Sequence, residues 1–161
     1  MEFSEAVKQV EGTDLFKNWK KEHDNWYLAH GFLMPQDSLD WQVGYSDGQQ
    51  VVTFTLNPLQ LVPAQEVNKI PGSTIPQLKI EHVTLSFSKA HDAFEKIKKE
   101  KYPTEDLFKK IYLIQQIDGK DMYNITGLTR GFKTLNIKIA MDGSIISEDL
   151  NALVEQLQGE K

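Results

Sequence analysis

The stretch YSDGQQVVTFTL, Tyr45–Leu56, places an Asp-Gly turn just before an alternating run. Asp-Gly readily supplies the positive φ that a tight hairpin turn needs. After it, Val52, Phe54 and Leu56 alternate with Thr53 and Thr55, the two-residue period of a half-buried strand. The same order recurs in LTRGFKTLNIKI, Leu128–Ile139. At an offset of 83 residues Gly44 meets Gly127, Ser46 meets Thr129 and Gly48 meets Gly131, while Val52, Phe54 and Leu56 meet Leu135, Ile137 and Ile139. The pair Tyr27-Leu28 lies over Tyr112-Leu113 at an offset of 85. Asp14, Phe16 and KKE at 20–22 lie over Asp92, Phe94 and KKE at 98–100 at an offset of 78. A seven-residue insertion such as YPTEDLF, 102–108, together with a two-residue deletion reconciles the offsets. Alternation alone makes any two amphipathic hairpins look alike, and that is the competing reading. The expectation carried forward is two related α-β-β-β units, 4–56 and 78–158, inside one compact domain of residues 1–161.

Around these stretches the chain divides into short elements. Ser4 is placed to cap a first helix, and Thr13 with Asp14 a second carrying Phe16 and Trp19. Strands are expected over 26–34, 41–45 and 51–56. Pro58, Pro63, Pro71 and Pro76 then predict an irregular crossover over 57–77, with a short strand around Leu59–Val62. The run 78–87 reads as a strand whose apolar phase shifts at a bulge near Glu81 or His82. Ser88 opens a helix, and strands follow over 108–117, 122–128 and 134–141. Leu150, Leu153, Val154 and Leu157 then have the spacing of a final helix capped by Ser147. Short hairpins joining most strands predict an α+β protein, mainly an antiparallel sheet with packed helices.

Bulk composition narrows the function. The 161 residues carry a formal charge of -5, and Arg130 is the only arginine. Phosphate-binding surfaces are basic, so nucleic acid is not an expected partner. With no cysteine, disulfides, thiol nucleophiles and cysteine-based metal sites are excluded. The opening MEFSEAVKQV lacks a basic n-region and an apolar core, and no run approaches the ~18 apolar residues that span a bilayer. A cytoplasmic protein without membrane contact is expected.

Chemistry-bearing motifs are few. The glycines form neither a phosphate-binding loop nor a dinucleotide fingerprint, and no serine sits in a nucleophile elbow. No cofactor and no catalytic residue are therefore expected. His23, His30, His82 and His91 show no helical metal-ligand spacing, so no metal is expected either. His23 and His91 read as surface residues of lysine-rich helices. By alternation His30 shares a face with Leu28 and Phe32 in an aromatic strand, and His82 sits at the expected bulge. Asp37 and Asp40 read as a solvated turn rather than a carboxylate pair. Trp19, Trp26 and Trp41 all fall in the first unit. If Trp26, His30 and Trp41 share a sheet face, that face is either core or groove, because indoles serve both.

The run TLNIKIAMDGSIISEDL, Thr134–Leu150, takes an alternating strand into Asp-Gly and a short apolar pair. It resembles the C-terminal hairpin of PepSY domains, over roughly 88–146 with 4–56 as a more degenerate copy. That resemblance implies a helix packed on an antiparallel sheet, partner binding or restraint, and no catalytic residues. The leading expectation is thus a non-catalytic binding or regulatory module for a peptide or protein. Its candidate surface residues are Trp26, His30, Trp41, Tyr45 and His82. One alternative is a small enzyme or ligand carrier with a pocket between sheet and helix, using His30, His82, Tyr45 and Asp40. Another is a homodimer paired through an exposed edge such as VVTFTL.

Overall fold

The Asp-Gly turns form as hairpins and organise the molecule. In the computed structural model, which describes residues 1–66 and 72–153, Gly48 has φ 107°. The Asp47 carboxylate accepts the N–H groups of Gln49 and Gln50, both at 2.9 Å. These backbone bonds lower the Asp47 pKa, since they favour the charged form.

Helices α1 (Phe3–Glu11) and α2 (Asp14–Lys21) precede β1 (Tyr27–Leu33), β2 (Gln42–Ser46), β3 (Gln50–Thr55) and β4 (Gln60–Glu66). Helix α3 (Phe87–Lys101) precedes β5 (Leu107–Ile117), β6 (Lys120–Thr129), β7 (Lys133–Ala140) and β8 (Ile145–Ala152). The eight strands form one sheet in the order β4-β3-β2-β1-β5-β6-β7-β8. Every neighbouring pair is antiparallel. This is an α+β fold with a mainly antiparallel sheet. Each half is a four-stranded meander behind its own helices, and β1 and β5 meet at the centre. That seam is short: Gly31, Phe32 and Leu33 oppose Ile114, Leu113 and Tyr112.

All three helices pack on the same side of the sheet. Phe16 and Trp19 of α2 meet Tyr45 and Phe54, with centroids 5.1–5.7 Å apart. Phe94 of α3 is fully buried and lies close to Gly127. Val52 and Phe54 in one half, and Leu135 and Ile137 in the other, all belong to this core. Aromatic contacts cross the seam: Phe3 touches Trp41, Trp41 touches Phe87, and Phe87 touches Tyr112 at 4.8 Å. Burying each such side chain stabilises the fold by about 1.5–3 kcal/mol.

Several local expectations change. Thr13 caps α2, its Oγ1 accepting from Phe16 N at 3.2 Å. Ser4, however, lies inside α1, whose N-cap is Glu2. The Glu2 carboxylate instead accepts the N–H of Phe87, so a residue at the start of α1 serves the first turn of α3. The cap of α3 is Ser86, not Ser88. Residues 78–87 do not form a strand. Leu78 donates to Leu28 O at 2.8 Å, Ile80–His82 makes a single 3-10 turn, and α3 begins at Phe87. The phase shift there reflects an extended strap and a turn, not a bulged strand.

The expected helix from Ser147 is strand β8 through Ala152. The open edge of β7 offers a full ladder of backbone partners, and Leu150 still turns inward opposite Leu135. The rest of that expected helix, from residue 154 onward, lies outside the described residues. In the crossover, β4 is longer than expected and contains Pro63. The register slips between Val51 and Thr53, so Pro63 and Ala64 sit at an irregularity on a strand paired only with β3 among the described residues. That is where a sheet tolerates proline.

Candidate functional site

With every helix on one side, the other face of the sheet has no helix over it among the described residues. Strand alternation assigns its residues. His30, Gly44, Thr53 and Val62 lie side by side across β1, β2, β3 and β4. On the same face a second row, Leu113, Asn124, Lys138 and Ser147, runs across β5, β6, β7 and β8, starting opposite Phe32 of β1 rather than His30. The second half of this face carries an amide ladder. Asn136 Nδ2 donates to Asn124 Oδ1 at 2.6 Å and to Thr126 Oγ1 at 3.0 Å, and Asn124 Nδ2 donates to Gln115 Oε1 at 3.2 Å.

A groove of about 470 Å³ opens on this face beside the seam. Its floor includes His30, Thr53 and Leu113. One wall comes from β4, through Val62, Pro63 and Gln65; the other is the extended strap at Thr74–Pro76. The strap is held at several points. Ile75 donates to Gly48 O at 3.0 Å, the Tyr27 hydroxyl donates to Ile75 O, and Gln116 Nε2 donates to Gln77 O at 3.2 Å. Among the described residues, no charged side chain lines the groove. Ligand pockets of this kind are mostly apolar with a few placed polar groups.

His30 is the polar centre of the groove. It is largely buried, and burial lowers its pKa to about 4, so the ring is neutral at pH 7. No hydrogen-bond partner for it is found among the described residues. Its ring lies flat against Gly44: a Cβ there would come within 2.2 Å of His30 Cε1. Glycine at 44 is therefore a steric requirement of the imidazole's position.

The residues expected to share a face do not share one. Trp41 is 0%, Tyr45 2% and Trp26 9% exposed, all in the core beneath α1 and α2, whereas His30 is on the opposite face. The tryptophan-rich side is filled, not open. Tyr45 donates to Glu11 Oε2 at 2.8 Å, and burial, then the Glu11 charge, raises its pKa strongly. His82 lies on the 3-10 turn, paired with Asp121 at 2.9 Å, and its side chain is 52% exposed. Asp40 accepts from Asn57 Nδ2 in the loop after β1. The four polar groups of the proposed sheet–helix pocket thus lie in separate places. VVTFTL is not an edge, since β3 is paired on both sides.

His23 and His91 are not bare surface residues either. His23 stacks on Trp19 with centroids 4.8 Å apart, and His91 Nδ1 shares a 2.6 Å hydrogen bond with the Tyr112 hydroxyl. The two glycines matched at an offset of 83 face opposite sides, Gly44 toward His30 and Gly127 toward Phe94. The groove itself was missed because its wall comes from β4 and the strap, which the proline-rich sequence reads as irregular. The signal available was Gly44: a glycine in a strand marks a close approach, here by His30.

Among the described residues, no group of three or more acids and histidines is placed to hold a metal, and no helix is long and apolar enough to cross a membrane. No protein-family model matches the chain. No curated protein matches it either. Among solved structures, the fold is similar to a protein from Clostridium difficile 630 described as a "putative lipoprotein". The two are 11% identical with a TM-score of 0.54, over 86% of this chain and 91% of that one. At that identity the likeness is one of fold alone.

Proposed function

We propose that the protein is a non-catalytic binding module that holds a peptide or protein partner on the helix-free face of its sheet. One observation carries this reading. The only face without a helix over it, among the described residues, bears an uncharged groove at His30 and a hydrogen-bonded amide ladder. Uncharged polar and apolar groups dominate the cores of transient interfaces, where charges are depleted. The PepSY resemblance points the same way, since such modules bind or restrain partners. We read the two halves as copies of one ancestral α-β-β-β unit, now extended by β4 and β8, and the protein as cytoplasmic.

Peptides selected from a random display library against the purified chain test the proposal. Selected binders should lose affinity at least tenfold with Leu113→Arg or Asn136→Arg and be unaffected by Lys98→Glu on α3. Binders indifferent to both helix-free substitutions would overturn it. So would a substrate panel showing turnover that a single substitution abolishes.

A further inference from the structure

The groove beside the seam invites a more specific assignment, which rests on the binding reading above. Its occupant must match three properties. The walls combine apolar Val62, Pro63 and Ile75 with uncharged polar Gln65 and Thr74. No charge lines it among the described residues, so a charged group would lose hydration with no counter-ion among them. His30 offers one donor and one acceptor on a neutral ring that has no partner among the described residues. A volume of about 470 Å³ admits a large side chain with its flanking backbone.

We infer that this groove is the anchor pocket for a tyrosine side chain of the partner polypeptide, its ring held between β4 and the 74–76 strap and its hydroxyl hydrogen-bonded to His30. The phenol supplies an apolar body and one neutral hydroxyl, the combination the lining calls for. Aromatic side chains lose little conformational entropy on binding, which is why they anchor interfaces. Gly44 gives the imidazole room to lie against the sheet, keeping the groove open above it. The Tyr27 hydroxyl is engaged with Ile75 O and so holds the strap rather than the ligand.

The test needs no partner. The intact protein is titrated with N-acetyl-tyrosinamide, N-acetyl-phenylalaninamide and N-acetyl-phosphotyrosinamide, and NMR follows the His30 ring and the amides of Thr53, Leu113 and Gln115. The tyrosine amide should shift these resonances together and bind about two- to tenfold tighter than the phenylalanine amide, the range of one neutral hydrogen bond. The phosphorylated amide should not bind there. In His30→Leu the preference for tyrosine over phenylalanine should vanish. Absence of shifts at His30, equal binding of the phosphorylated amide, or no preference for tyrosine over phenylalanine in the unaltered protein would overturn the assignment. These outcomes leave the broader reading standing if selected peptides still depend on Leu113 and Asn136, so the two failures are distinguishable.

Discussion

His30 and Gly44 act as a pair, and each makes a prediction. Gly44 is hydrogen-bonded into the sheet between β1 and β3, so its backbone cannot retreat from the imidazole. Gly44→Ala should push the ring into the groove and destabilise the protein by about 1–3 kcal/mol, as overpacking does; thermal denaturation checks this. His30 itself should give the stability curve an acid limb. Its folded pKa is about 4, against about 6.5 in an unfolded chain. Below pH 6.5 the unfolded chain takes up a proton that the folded chain refuses. Stability therefore falls as the pH drops from 6.5 through 4, by on the order of 3 kcal/mol in total. His30→Leu should flatten that limb, which urea midpoints at pH 7 and pH 4.5 would show. The residue's place in an aromatic strand was legible in the sequence. Its isolation from the tryptophans was not, because Ala29 sits at a register shift between Leu28 and His30 that moves His30 to the opposite face.

Helix and strand boundaries follow local chemistry where the chemistry is strong. Thr13 makes the cap its sequence promises, and Thr13→Ala should cost about 1 kcal/mol of stability by denaturant titration. Phe94→Ala should cost about 3–5 kcal/mol, since its ring is fully buried in the core. Elsewhere a partner outweighs local preference. Ser147–Ala152 opens a stretch whose Leu150, Leu153, Val154 and Leu157 have helix-like spacing, yet it completes a ladder with β7 because an unpaired sheet edge offers more hydrogen bonds than an isolated helical turn. Pro63 works in the opposite sense on β4. It removes a donor from a strand that is paired on one side only among the described residues, and so blunts pairing with a second chain. Pro63→Val should increase concentration-dependent association, read by light scattering. No increase would mean that the irregular register alone protects this side.

Two four-stranded meanders joined by three residue pairs could come apart at the seam, but the packing opposes it. Phe3, Trp41, Phe87 and Tyr112 form a continuous aromatic contact from one half to the other. Glu2 accepts from Phe87 N, and Leu78 of the strap is buried in the same core. A single cooperative transition is expected. Tryptophan fluorescence reports mainly the first half, where Trp19, Trp26 and Trp41 all lie with Trp41 also touching Phe87 across the seam, whereas far-ultraviolet circular dichroism reports both halves. Coincident urea curves would support one cooperative unit; separated midpoints would show that the halves unfold independently. The α+β class, the antiparallel hairpins and most strand positions were readable in the chain itself, because alternation and Asp-Gly turns are local signals. The order of strands, the gathering of all helices on one face, and the groove at His30 were not. They depend on which edges and apolar faces meet, a matter of long-range packing that residue spacing does not encode.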